Sequence, residues 1–322
     1  MVSPRLAKAL VAKIPSQLLG RHHQGAGGRT SRSASGQVLV KFAADRFRGA
    51  PGASIDDLQI LADVAATSDG EVRSAAEPPV YQKPAGRPRL SKEMTVLPSE
   101  AQRLLQMAVW SDPGNVPSVA LDSVEVITHR RALRQLLRWV VRVPEFDGLG
   151  WQQRYVDGKF KKDNDMVAER VTLPGNRKTC LALTGAYANL QEEFCTFGAD
   201  FERKATNGSS HNVRHYRLLS YRLGDVPVAL TAEIDAVTQD GRGVELKTMR
   251  RDYFDHDFQA TYLMDIYFQM LLGGCDLLAL GLWDHERRVH VREFTLDELR
   301  AKLDELQAPS DVILGRIAAV LK

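Results

Sequence analysis

From Pro98 onward the sequence predicts an α+β domain, a β-sheet core flanked by helices. Two observations carry this. Between residues 226 and 250 apolar residues alternate with polar ones at the period of a strand. A long apolar-rich helical segment follows, and the order helix, three strands, helix, strand surrounds a group of carboxylates. That order suits a mixed sheet.

The elements follow along the chain. Residues 1–36 are basic and free of acids, ending in a Gly/Ser/Arg stretch. They read as a basic disordered tail or as a transit-like segment, with Leu6, Leu10 and Ile14 set against Lys8 and Lys13. Residues 37–97 read as a poorly defined N-terminal segment and linker. Within it, residues 54–66 suggest a short helix capped by Ser54. The proline-rich run over 67–100 suggests a linker or an extended surface segment. A helix is expected from Ser99 to about Trp110, and another over 128–141 with Ala132, Leu133, Leu136, Leu137 and Val140 as its apolar stripe. Short strands are expected near 151–160 and 166–173. Residues 183–205 read as one helix broken near Gly198, or as two. Two strands meeting at Gly224-Asp225 lead into a hairpin. The helix after it has Tyr262, Leu263, Ile266, Tyr267, Met270 and Leu271 as its stripe and ends at Gly273. Strands at "LLALGLW" and "RVHVREF" and a Leu-rich helical tail complete the chain.

Composition excludes several classes. The three cysteines, Cys180, Cys195 and Cys275, are scattered without a CxxC pair, which argues against a disulfide scaffold or a zinc site. No apolar run is long enough to span a membrane as a helix. The net charge of +3 says little about a nucleic-acid partner, but the acid-free start is locally basic.

The chemistry concentrates in the hairpin. Leu230, Ala232 and Ile234 share one strand face, and Glu233 and Asp235 the other. In the second strand Val244 and Leu246 alternate with Glu245 and Lys247, after a turn containing Asp240-Gly241. A loop centred on Asp240 sets Asp235 against Glu245 and Glu233 against Lys247. Opposed carboxylates repel unless a cation sits between them. A strict two-residue Asp-Gly turn instead slips the register by one and separates the two acids. A hairpin with one solvated face is the plain alternative. Upstream, Glu202 follows a helix break and is a candidate third ligand. Gln269 reads as a polar residue at the edge of a helix stripe. Arg130 belongs to a basic cluster that is either a solvated face or a phosphate-reading patch.

The Asp-x₉-Glu-x-Lys spacing is that of the PD-(D/E)xK nuclease core, in which two acids bind metal and a lysine assists the water or the phosphate. With Gly198-Ala199-Asp200-Phe201-Glu202 before it, "FQMLLGG" after it and "VITHRRALRQLL" upstream, the chain resembles the DXO family of decapping enzymes and 5′-end exoribonucleases over roughly residues 125–300. Ala199, His129 and Phe268 depart from the family pattern without removing a ligand.

The resemblance implies a mixed β-sheet core related to the PD-(D/E)xK nucleases, with the active site in a pocket between sheets, and a decapping nuclease domain over 98–322. It implies that Glu202, Asp235, Glu245 and the Leu246 carbonyl bind Mg²⁺ or Mn²⁺, with two ions expected. Glu233, Lys247 and Gln269 would be catalytic and in contact with substrate, and Arg130 would hold a substrate phosphate. The implied substrates are RNA 5′ ends: incompletely capped, NAD-capped or triphosphorylated. Degradation from 5′ to 3′ follows in several members. A 5′→3′ exoribonuclease is the implied partner, and the nucleus the implied compartment, with cytoplasm or mitochondrion as alternatives. A non-catalytic stabilising partner of such an exoribonuclease is the alternative function, and a DNA nuclease of the wider superfamily a third.

Overall fold

The computed structural model describes residues 49–67, 72–74, 77–91, 93–95, 123–140, 166–172, 179–185, 194–207, 213–257, 262–306 and 310–322. The tail over 1–36, the helix expected from Ser99 and the strand near 151–160 lie outside them.

The largest sheet has seven strands in the order β2-β1-β8-β9-β4-β6-β5: β1 (Ile55–Thr67), β2 (Val72–Ser74), β4 (Val126–His129), β5 (Met166–Thr172), β6 (Thr179–Gly185), β8 (Val213–Leu223) and β9 (Val226–Glu233). β4 runs parallel to both its neighbours while the other pairs are antiparallel, so the sheet is mixed. A four-stranded sheet, β10 (Ala236–Val237), β11 (Gly243–Arg250), β12 (Cys275–Trp283) and β13 (Val289–Thr295), is mixed as well, with β11 and β12 parallel. Among the described residues a ribbon of β3 (Glu93–Thr95) and β7 (Phe194–Thr196) forms a third, two-stranded sheet. The described helices are α1 (Arg130–Val140), α2 (Gly198–Lys204), α3 (Arg251–Asp257), α4 (Leu263–Gly273), α5 (Leu296–Glu305) and α6 (Ser310–Leu321). None of the helices among the described residues is long and apolar enough to cross a membrane.

The main core lies where α1, α4 and α6 meet both large sheets. Leu133, Leu136 and Leu137 pack with Phe268, Met270, Leu230, Leu280 and Ile317. All five residues of the predicted α1 stripe are buried. A second core on the other face of the four-stranded sheet joins Val244 and Leu246 to Phe201, Leu90 and Val289. The alternation read in the sequence therefore holds in β11, with Val244 and Leu246 in one core and Glu245 directed to the other side.

Three expectations need correction. Residues 54–66 form β1 rather than a helix, paired along most of β8. Its register shifts between Asp56 and Gln59 and again between Ile60 and Ala62, and Asp57 has φ 56°. Each irregularity offsets the side-chain alternation, which erases the period-two signal and leaves a helix-like spacing. Residues 37–97 thus contribute a strand of the largest sheet as well as an extended segment. That segment, 77–91, lies against β10, with Tyr81 N–H donating to the Val237 carbonyl at 2.7 Å. Among the described residues of the stretch read as helical over 183–205, only α2 is helix. Leu183–Gly185 end β6 and Phe194–Thr196 form β7. Finally, α4 is buried nearly all round rather than along one stripe: Met264, Phe268 and Gln269 are buried, whereas Tyr262 is exposed. Its left-handed terminal residue is Gly274, φ 63°.

α2 is positioned by Phe201, which has no exposed surface. A Cβ on Gly281 of β12 would stand 2.9 Å from the Phe201 ring. Gly281→Ala is expected to lower stability by about 1–3 kcal/mol through overpacking, read as the chemical denaturation midpoint. An unchanged midpoint would show that α2 is not locked by this contact.

Candidate active site

The hairpin has the odd-length loop. Val237 pairs with Gly243 and Ala236 with Val244, so the loop is 238–242, centred on Asp240. Thr238 and Asp240 close it through side-chain and backbone bonds to Arg242. The register brings Asp235 beside Glu245. The first strand is not continuous, however. β9 ends at Glu233 in the seven-stranded sheet, and β10 begins at Ala236 in the four-stranded one. Ile234 and Asp235 form the step between sheets, where Ile234 N–H donates to the His215 carbonyl at 2.9 Å. At the step the Asp235 carboxylate accepts the Leu246 N–H at 2.8 Å. The acids thus stand at the junction of two sheets rather than on one flat hairpin face.

Glu245 is the centre. Its side chain has no exposed surface. One oxygen accepts from Arg130 Nη1 at 2.9 Å, and the other accepts from Lys247 Nζ and from the Gln269 side-chain amide. Neither Arg130 nor Gln269 is a solvated surface group: both are buried, at 8% and 5% exposure, and each donates to Glu245. Arg130 opens α1 directly after β4, and the Ala132 N–H donates to His129 Nδ1. Its path to Glu245 crosses α4 at Gly273, where a Cβ would lie 2.9 Å from Arg130 Nη1. Glycine is required there for contact rather than for φ.

The other predicted residues surround this centre. Lys247 Nζ lies 3.7 Å from Asp235 Oδ2 and 3.3 Å from the Leu246 carbonyl oxygen. Glu233 is held by Arg214 Nη1 at 2.9 Å. Glu202 on α2 is half-buried and feels Arg214, Glu233, Lys247 and Glu245. All the predicted site residues therefore fall in one cluster. Arg214 was missed by sequence reasoning. It faces Glu233 from the neighbouring strand β8, a pairing visible only with the register.

The charges settle in opposite directions. Burial pushes the Glu245 carboxyl up, but Lys247 and Arg130 outweigh it and bring it down to about 2. Burial and then the Glu245 charge hold Asp235 well above the usual carboxylate range. Glu202 is also raised, mainly by burial, with Arg214 opposing and Glu233 adding to the rise. For Lys247, burial works against the charge, yet Glu245 and Asp235 keep the ammonium protonated beyond its ordinary range.

Among the described residues no group of three or more His, Cys, Asp or Glu side chains is drawn close enough to hold a metal ion. Two positive charges stand at the centre, the Arg130 guanidinium on one Glu245 oxygen and the Lys247 ammonium on the other. The Lys247 ammonium reaches Glu245, Asp235 and the Leu246 carbonyl, three of the four ligands that the family resemblance implies. An ammonium gathering those oxygens marks a position suited to a cation, and the donor set is the all-oxygen kind that Mg²⁺ and Mn²⁺ take. The residues fit such an ion, provided that Lys247 turns aside.

Next to the centre lies a cavity of about 740 Å³ that Lys247 and Gln269 share with aromatic residues, Trp283 and Tyr253 among them.

No known family profile matches the sequence, and no curated protein matches it. Solved structures do. Rai1 of S. pombe, solved in complex with 3′-FADP, superposes with a TM-score of 0.61 at 14% identity, covering 88% of this chain and 89% of that one. Rai1 of Candida albicans, solved with pU5-Mn²⁺, gives 0.56 at 15% identity over 84% and 83%. Dxo1 of K. lactis, solved with manganese, gives 0.53 at 8% identity over 88% and 85%. The chain has the Rai1/Dxo1 fold. The likeness spans most of each chain.

The shifted acids make a signed pH prediction. Asp235 binds its proton more tightly folded than unfolded, so its contribution to stability is fully present below the unfolded value and is lost as pH rises through the folded one. Glu245 acts oppositely: its contribution is present above the ordinary carboxylate range and is lost as pH falls towards about 2. A divalent cation competes with the Asp235 proton. Mn²⁺ is therefore expected to raise the melting temperature by an increment that grows as pH rises through the raised range of Asp235. An increment that stays constant from the ordinary carboxylate range upward would count against Asp235 and Glu202, both raised, as ligands.

Proposed function

We propose that this chain is a divalent-metal-dependent phosphodiester hydrolase acting on RNA 5′ ends. The observation that carries the reading is the convergence of Asp235, Glu245 and the Leu246 carbonyl on one half-buried positive charge, the Lys247 ammonium. It stands on a fold whose solved relatives were captured with manganese, with pU5 and with 3′-FADP.

Glu202, Asp235, Glu245 and the Leu246 carbonyl are the residues that would hold Mg²⁺ or Mn²⁺. When bound, such a cation supplies Lewis-acid activation of water and of the phosphate, and two of them supply it at both the attacking and the leaving oxygen. The protein's own groups do the rest. Arg130 keeps Glu245 ionised and oriented, and by the family resemblance it also serves a substrate phosphate. Lys247, displaced from Glu245, directs its ammonium to a phosphoryl oxygen and stabilises the charge that develops there. Gln269 stays buried beside it and donates to the same centre. Glu233, clamped by Arg214, accepts a hydrogen bond from the attacking water and orients it.

A site organised around the first RNA phosphate releases whatever precedes that phosphate. At a triphosphate end water attacks the innermost phosphorus and the phosphoanhydride bond breaks, releasing pyrophosphate. At a capped end the phosphodiester after the first nucleotide breaks and the capped nucleotide leaves as its 3′-hydroxyl. RNA with a 5′-monophosphate remains in both cases. The finer reading is decapping of incompletely capped or NAD-capped RNA and pyrophosphate release from 5′-triphosphate RNA, followed by 5′→3′ exoribonuclease action.

Asp235→Ala and Glu245→Gln are each expected to reduce Mn²⁺-dependent hydrolysis of short triphosphorylated and NAD-capped RNAs by roughly 10²-fold or more. Product release on a gel or by chromatography reads it. Full activity in either variant overturns the assignment. A wild type that hydrolyses none of these RNAs yet stabilises a 5′→3′ exoribonuclease in a melting assay supports the non-catalytic partner instead.

A further inference from the structure

We infer that the cavity beside Lys247 and Gln269 is a stacking subsite for one unpaired nucleobase, built from Tyr253, Tyr262 and Trp283 with Arg250. The inference rests on the proposed reading of Lys247 and Gln269 as the phosphate end of the site. Three observations carry it.

The first is the placement of the aromatic residues. Among the described residues four large hydrophobic side chains are exposed, and the two aromatic ones, Tyr253 at 52% and Tyr262 at 47%, both line this cavity. Trp283 adds a third partly exposed ring, backed by Phe197 with ring centroids 4.8 Å apart. Exposed aromatic rings cost solvation unless a ligand covers them, and rings gathered around one cavity are a stacking platform.

The second is the arginine. The Arg250 guanidinium lies over the Tyr253 ring at 5.5 Å and over the Trp283 ring at 6.0 Å. A planar cation seated on two rings marks the place and orientation that another flat group takes, either on the rings or against the guanidinium.

The third is charge. Arg250 is paired with Asp252, and Arg134 at the other side of the cavity is paired with Asp265. Both cations are locally neutralised. A track for further phosphates needs uncompensated positive charge, whereas a nucleobase needs flat apolar walls with polar groups at their margin. The cavity has the second character. Its volume of about 740 Å³ is that of a small-ligand site. Because Lys247 and Gln269 form one end, the base belongs to a nucleotide joined to the cleaved phosphate. It is either the first RNA base or the base of the leaving cap.

Stacking reads no hydrogen-bond pattern, so this subsite accepts any base at that position. The test compares short RNAs carrying a normal base, or none, at the first nucleotide, and dinucleotide-capped RNAs with or without the cap base. In the wild type, removal of the base that occupies the subsite is expected to raise KM about tenfold with little change in kcat. Tyr253→Ala and Tyr262→Ala alter exposed residues and are expected to raise KM similarly for the base-containing substrate, yet to have no further effect on its abasic form. Trp283→Phe keeps a ring and is expected to stay near wild type. The substrate pair that shows this pattern names the occupant. No KM effect of base removal, or equal effects of the tyrosine variants on both forms, overturns the subsite. If the wild type hydrolyses nothing, the hydrolase reading fails by itself. Fluorescence anisotropy with the same labelled RNAs then decides the subsite, tenfold weaker binding of the abasic form supporting it and equal binding overturning it.

Discussion

Burial of the Glu245 carboxylate constrains this molecule more than any other single feature. A carboxylate with no exposed surface costs several kcal/mol in lost hydration. The chain offsets that cost with Arg130, Lys247 and Gln269, which arrive from the start of α1, from β11 itself and from α4. α1 follows β4 of the seven-stranded sheet, and Glu245 lies in the four-stranded one. One ion pair therefore ties the two sheets across the main core. Packing makes way for it, since Gly273 leaves out the Cβ that would meet the Arg130 side chain.

The second constraint is the step between sheets at Ile234 and Asp235. A regular hairpin would continue its ladder past Ala236 and Val244. Here β9 stays with β8 and β4, and the Asp235 side chain takes the Leu246 N–H in place of a backbone carbonyl. That substitution satisfies a buried donor and fixes the carboxylate in one motion. It also explains why two acids that repel each other can be held side by side. Each is anchored by neutral or positive donors of its own, and the Lys247 ammonium stands between them.

Charge and apolar surface are divided across this region. The carboxylates and Lys247 occupy the junction of the sheets, while the adjoining cavity is lined by rings whose neighbouring arginines already carry acidic partners. Such a division suits a substrate that is anionic at one end and flat and uncharged beside it. The fold is shared with Rai1 and Dxo1 at 8–15% sequence identity. What must persist is pattern, because a mixed sheet between helices needs volume and periodicity rather than particular side chains.

Local signals in the sequence were enough for the hairpin acids, the α1 stripe, the strand pair meeting at Gly224-Asp225 and the order of elements around the carboxylates. Each depends on a period or spacing within a few residues, and the chain has little freedom to realise it otherwise. Only the tertiary structure decided the rest. The bulges in β1 hid a strand, because alternation fails once the register shifts twice. Local spacing left Arg130 open between a solvated face and a phosphate-reading patch and Gln269 at the edge of a helix stripe, because burial depends on what packs against them, and α4 is enclosed on nearly all sides. Arg214 met Glu233 through the β8–β9 register, and Trp283, Tyr253 and Tyr262 met around one cavity from separate elements. The sequence determined which chemical groups the chain holds and their local periodicity; which of them share a buried, low-dielectric space was decided by long-range packing, which no local spacing encodes.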